Sequence, residues 1–213
     1  MAIKSGLDFY KKDTAYRMIR VDLEAEYGKE KTQRIWDLAV PELERLWEKY
    51  DDVPKAQRMH THNEIFPRIA MYRALKIELP ESAMEIMDSA VKKAGTKVGN
   101  TIGALTKIPG MPKVFVRIMA YMLKKMFGPE AGFTQQYYQT DKNGLKFDVT
   151  VCPYCKYCEL CDCMELTHTF CDSDVYCYGN LPGVLFERTQ TLGTGGSCCD
   201  FHFKAERRKQ RCH

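Results

Sequence analysis

Chemistry is most readable in the thiols. All ten cysteines lie between Cys152 and Cys212, and the first 151 residues contain none. Cys152, Cys155, Cys158 and Cys161 recur every third residue, and Cys163 follows closely. On spacing alone this suggests zinc or an iron–sulfur cluster. Two features oppose that reading. The bacterial cluster motif ends in Cys-Pro, whereas here Pro153 follows the first Cys. If Pro153 opens a helix, each three-residue step turns roughly 300°, so the thiols spiral apart; only a loop would gather them. The alternatives are a redox role or small packed thiols without chemistry.

A second candidate is Cys171-Asp172-Ser173-Asp174. A Cys beside carboxylates, following a short helix, suits a nucleophile with an acid/base partner. Carboxylates alone raise a thiol pKa, so thiolate requires a cation as well, from Arg188 or a His. The bland alternative is a small buried Cys beside capping Asp residues. A third candidate runs from Phe186 to Phe203. Gly195-Gly196 at a strand corner lets the backbone approach a ligand and offer N–H groups to an anion, and Arg188 can grip a carboxylate with its planar fork. A plain glycine-rich turn fits equally well. His168 and His202 fall in the Cys-rich half and are general acid/base candidates; His60 and His62, at the foot of a helix, read as surface or capping residues.

These residues need elements to position them. Asp13 or Thr14 caps a helix over about Ala15–Tyr27, ended by Gly28. Ile35, Leu38, Ala39, Leu43 and Leu46 recur at helical spacing, with Pro41 kinking or dividing that helix. Asn63–Ile77 is a third helix. Pro80 suits a first helical position, before the apolar stripe Ala83, Ile86, Met87, Ala90, Val91 and Ala94. Gly95–Pro112, punctuated by glycines and prolines, reads as loop or broken helix. Val114–Phe127 has a broad apolar face rich in Met, with Lys113, Arg117, Lys124 and Lys125 outside it. Core packing, a membrane-surface helix or a hydrophobic lid would each produce that pattern.

At Gly128 the pattern changes. Phe133–Thr140 and Leu145–Val151 alternate as strands around Asn143-Gly144, a hairpin signal. Short helices are expected over Pro153–Cys161 and Glu165–Tyr178. Val184–Leu192 and Cys198–Phe203 form a second strand pair. The fold class is α+β: an N-terminal helical half followed by an antiparallel β-sheet carrying short helices. One integrated domain is expected, with a helical part over residues 1–130 and a Cys-rich part over 131–213.

Composition bounds the function classes. The chain has 213 residues, enough to bury a real core. A net charge of +4 is too weak for a nucleic-acid footprint, and the basic residues do not cluster with aromatics. The tail Lys204–Arg211 is basic and reads as a solvated end. No uncharged apolar run is long enough to span a membrane, and Met1–Arg20 lacks the apolar core of a secretory signal. A cytoplasmic location with reduced thiols is expected. Homo-oligomerisation is left open.

An ordered series of residues resembles one family. It comprises Cys152-Pro153-Tyr154, Cys163, Glu165-Leu166, Cys171 with Asp174, Glu187-Arg188-Thr189, Thr191-Leu192-Gly193, Gly195-Gly196 and Cys199-Asp200-Phe201. With this series the chain resembles the L-2-amino-thiazoline-4-carboxylic acid hydrolases. The front adds only its helical pattern and His62–Leu75, and Cys155 and Cys161 depart from the family pattern. The resemblance implies hydrolytic opening of a cyclic isothiourea or amidine at C2, giving a carbamoyl-cysteine-type product, without a cofactor. Under it, Cys171 serves as nucleophile or lines the site, and Asp174 or Asp200 moves protons. Arg188 holds the carboxylate, Cys199 lies close by, and Gly195-Gly196 give backbone donors. Glu187 and His202 complete the substrate-binding set. The rivals are an enzyme of another substrate class, a zinc, iron–sulfur or small-molecule-binding protein centred on Cys152 to Cys163, and an interaction protein with buried thiols.

Overall fold

A computed structural model describes residues 5–206. Of the tail Lys204–Arg211, Lys204 and Ala205 belong to the last strand and not to a solvated end; the residues beyond Glu206, with Cys212, lie outside the described residues. Helices α1 (Gly6–Lys12), α2 (Thr14–Tyr27) and α3 (Lys29–Lys49) open the chain. The Asp13 carboxylate accepts from Ala15 and Tyr16 N–H, and Gly28, at φ 82°, ends α2. Pro41 lies inside α3 without dividing it. The next helical stretch starts earlier than Asn63: α4 (Lys55–His60) runs through a π-turn (Thr61–Ile65) into α5 (Phe66–Glu78).

Two expectations are corrected here. Pro80 does not start a helix, because α6 begins at Ala83. Gly95–Pro112 is not a loop, because α6 (Ala83–Thr106) continues through most of it. The glycines there permit close packing instead of breaking the helix. A Cβ on Gly95 would sit 2.7 Å from Cβ of Tyr176, and one on Gly99 would sit 2.6 Å from the Tyr176 carbonyl oxygen. Contact with a neighbouring helix outweighs the intrinsic helix penalty of glycine. Gly110, at φ 86°, then precedes α7 (Met111–Met126).

The rest is a four-stranded antiparallel sheet in the order β1-β2-β4-β3, where β1 is Thr134–Tyr138, β2 Gly144–Val151, β3 Val184–Glu187 and β4 Cys199–Ala205. Helices α8 (Pro153–Leu160) and α9 (Thr167–Tyr178) lie between the two hairpins. The architecture is α+β, helical front first. Strand register aligns Val149 with Cys199, Phe147 with Phe201 and Leu145 with Phe203. Alternation sends these six to one face and their neighbours Asp148, Asp200 and His202 to the other.

Two cores result. One gathers α1 to α6 around Ile35, Leu43, Phe66, Ile69 and Leu75, and also takes in Cys158, Cys161 and Cys163. Each of those five apolar side chains is fully buried, worth about 1.5–3 kcal/mol relative to exposure. The other packs Phe147, Val149, Cys199 and Phe203 of the sheet beneath Val116 of α7. Val116 is the one residue of α7 that is fully buried; Ile118, Tyr121 and Met122 on the same helix are exposed. The helix therefore roofs the sheet, giving one face to the core through Val116, Phe115, Met119 and Leu123 and leaving the other exposed. No helix among the described residues is long and apolar enough to cross a membrane.

Candidate active site

Between the sheet face, α7, α9 and the π-turn lies a cavity of about 540 Å³. Cys171, Asp174, Arg188 and Cys199 all line it. Their convergence has local causes. Cys171 and Asp174 are three residues apart on α9, hence on one face. Cys199 opens β4 on the inward side. Arg188 follows Phe186 by two residues and so keeps its inward direction past the end of β3.

Arg188 Nη1 donates to Asp174 Oδ2 at 2.9 Å, and the guanidinium stands 5.5 Å from the centre of the Phe201 ring. The Arg188 side chain is only 6% exposed, so the charge is held away from bulk water. Asp174 keeps 31% of its side-chain surface, and it lines the cavity. Burial pushes its carboxyl up to about 7, with Arg188 pulling down and Cys171 pushing further up.

The Cys171 thiol is pulled down to about 6. The chief cause is a hydrogen bond donated by Cys199, which outweighs the opposing burial. The Thr191 hydroxyl, the Arg188 charge and the Gly193 N–H favour thiolate as well. Cys199 is pushed up correspondingly, since losing its proton would break the bond to Cys171 and burial also opposes its ionisation. Its sulfur in turn accepts from Leu192 N–H at 3.3 Å. Beside a low-pKa thiol thus stands a high-pKa carboxyl, an arrangement suited to nucleophilic attack with proton transfer at neutral pH.

Other sequence candidates lie elsewhere. Asp200 points to the opposite sheet face. Its carboxylate accepts from Thr189 N (2.9 Å), Thr189 Oγ1 (2.6 Å) and Gln190 N (2.8 Å). Against the effect of burial, these bonds hold its pKa down. It shapes the Arg188–Thr191 loop and does not reach the cavity. Glu187 and His202 pair with each other at 2.9 Å on that outer face. Gly195, at φ 87°, and Gly196 close the turn after Thr194, and Gly196 N–H donates to the Thr191 carbonyl at 2.8 Å. The glycine that abuts the site is Gly193, where a Cβ would sit 2.9 Å from Cys171 Sγ.

The Cys152–Cys163 run does not converge. Cys152 and Cys155 line the cavity, whereas Cys158, Cys161 and Cys163 are buried in the helical core. Among the described residues no three His, Cys, Asp or Glu side chains are grouped to hold a metal ion. The run lies on α8 and the turn after it, so the helical spiral applies. His168 binds Asp88 at 2.8 Å and the Glu165 carbonyl at 2.6 Å, joining α9 to α6 outside the cavity.

Sequence reasoning missed the helical front's share of the site. His60 is 3% exposed, not a surface residue, and it lines the cavity. Its Nε2 lies 2.7 Å from the Met126 carbonyl and its Nδ1 lies 3.0 Å from Tyr154 Oη. Arg68 and Tyr154 line the cavity as well. The π-turn at Thr61–Ile65 was a usable signal only in retrospect, since such turns gather at functional sites.

The model of the L-2-amino-thiazoline-4-carboxylic acid hydrolase family matches residues 58–203. The chain belongs to this family. The match begins in α4 and ends in β4, so it contains the whole cavity wall as well as the motif series read from the sequence. No curated protein matches the chain.

Proposed function

We propose that this member of the hydrolase family opens a cyclic amidine-like ring, with Cys171 as nucleophile. The observation that carries the reading is the Cys171 thiol, lowered to about 6, beside the Asp174–Arg188 pair on one cavity wall.

In the reaction, Cys171 thiolate adds to the ring carbon bonded to both sulfur and nitrogen. Neutral Asp174 supplies a proton as the ring opens, and the C–S bond breaks to release a thiol. The carbon remains joined to Cys171 Sγ. Water, deprotonated by Asp174 carboxylate, then adds to that carbon, and Cys171 leaves as thiolate. The net change is addition of one water; a 2-amino substituent gives a carbamoyl-cysteine. Thiolate, proton donor and water suffice, so the reaction calls for no cofactor. Arg188 has N–H groups beyond the one given to Asp174, and these suit a substrate carboxylate.

Turnover of 2-amino-thiazoline-4-carboxylate by Cys171→Ser and Asp174→Asn variants tests this. Each variant should lose at least about 10²-fold in kcat. Near wild-type rates in both would remove the assigned roles.

A further inference from the structure

We propose that the site takes an amphiphile: a small carboxylate-bearing head at Cys171 and Arg188, joined to an apolar tail lying under α7. This rests on the reading of Cys171 as nucleophile for the head, but the tail is argued from the cavity alone.

Size is the first observation. An amino-thiazoline carboxylate has roughly nine non-hydrogen atoms, while cavities near 540 Å³ fall in the range that encloses drug-sized ligands. Such a head would leave most of the space empty. Wall chemistry is the second. Away from Cys171, Asp174 and Arg188, the walls are chiefly apolar, with Met119, Leu123 and Met126 from the roof facing Phe147, Phe201 and Phe203 of the sheet. Polar groups among them are few and mostly turned to protein partners; Gln135 Nε2 is the exception, a buried donor without a partner among the described residues. Both nitrogens of His60 have partners, and Arg68 stacks 4.0 Å from the Phe170 ring centre while donating to Thr169. A polar ligand filling this space would lose water and regain few bonds; an apolar one gains by burial.

Adaptability is the third. Met59, Met119, Met122 and Met126 all line the cavity, and thioether side chains repack around variable apolar shapes. Met59 and Met122 are each 37% exposed, so this lining reaches the surface beside exposed Asn63 and Glu64. The tail therefore has a way in from solvent, with the head leading to Cys171.

The same bond changes apply to a 2-alkyl-thiazoline-4-carboxylate. Cys171 Sγ adds at C2 and the ring sulfur departs as a thiol. Water then displaces Cys171, and the product is an N-acyl-cysteine. A series with methyl to decyl at C2 is the test. kcat/KM should rise about fourfold per methylene until the tail fills the cavity, and at least about 10²-fold from methyl to octyl. Met119→Trp, which shortens the space, should move the preferred tail to fewer carbons. In parallel, Kd for the octyl compound is measured by calorimetry on Cys171→Ala and by thermal shift on the wild type.

A flat or falling kcat/KM series with brisk turnover of 2-amino-thiazoline-4-carboxylate would overturn the tail and leave the nucleophile standing. Tight octyl binding without turnover of any member would support the tail and remove the nucleophile. Absence of octyl binding in both proteins would overturn the tail.

Discussion

At the scale of single residues, the site depends on opposite perturbations of neighbouring groups. Cys171 titrates near 6 because Cys199 donates to its sulfur, despite burial; Asp174 titrates near 7 because burial disfavours its charge. Thiolate is gained as pH rises through about 6, and the neutral carboxyl is lost as pH rises through about 7. The pH profile of kcat/KM should therefore be bell-shaped, with limbs near those values and a maximum between them. Cys199→Ala removes the donor, so the acid limb should move to higher pH. The rate of iodoacetamide labelling at Cys171 against pH reads the same titration without substrate. An unmoved limb in that variant would show that Cys199 does not tune the thiol. From the sequence, Cys199 was expected near Cys171 only through the family resemblance; that it donates to the Cys171 sulfur and shifts its titration follows from the meeting of α9 and β4.

Secondary-structure elements set the directions of these side chains. The period of two in β4 aims Cys199 into the cavity and sends Asp200 and His202 outward. Sequence reasoning gave the strand yet nominated all three, because it did not fix which face was covered. Helix α6 shows the converse limit. Its glycines suggested a break, but they allow α6 to lie against α9, and α9 carries Cys171 and Asp174. Gly99→Ala should place a methyl against the Tyr176 carbonyl and destabilise the fold by about 1–3 kcal/mol. Urea denaturation checks this; an unchanged midpoint would mean the helices can separate freely. The hairpin turn at Asp141–Gly144, closed by the Gly144 N–H on the Asp141 carbonyl, and the cap at Asp13 were readable because each depends on local backbone geometry.

On the scale of the whole molecule, His60 ties the helical front to the roof of the cavity. It lies at the end of α4, reaches the Met126 carbonyl at the end of α7, and meets Tyr154 of α8. Burial lowers its pKa, with the Met126 contact opposing. Below about pH 6.5, the ordinary histidine value, the unfolded chain takes up this proton more readily than the folded one. His60 therefore subtracts stability as pH falls, by up to about 1.4 kcal/mol per pH unit. The difference in Tm between pH 7.5 and 5.5 should shrink in His60→Gln. An equal difference in both proteins would show that folding does not shift the titration of His60.

By itself, the sequence determined the α+β order of elements, the two hairpins and the chemical types gathered in the last third. Those follow from periodicity, turn residues and caps, which act over a few neighbouring positions. Only the tertiary structure decided that Cys171, Asp174, Arg188 and Cys199 share a cavity. It also separated Asp200, Glu187 and His202 from that cavity, and brought His60 and the methionines of α7 to its walls. The physical reason is that pKa, burial and enclosure are properties of what surrounds a side chain. Here those surroundings are assembled from segments more than a hundred residues apart.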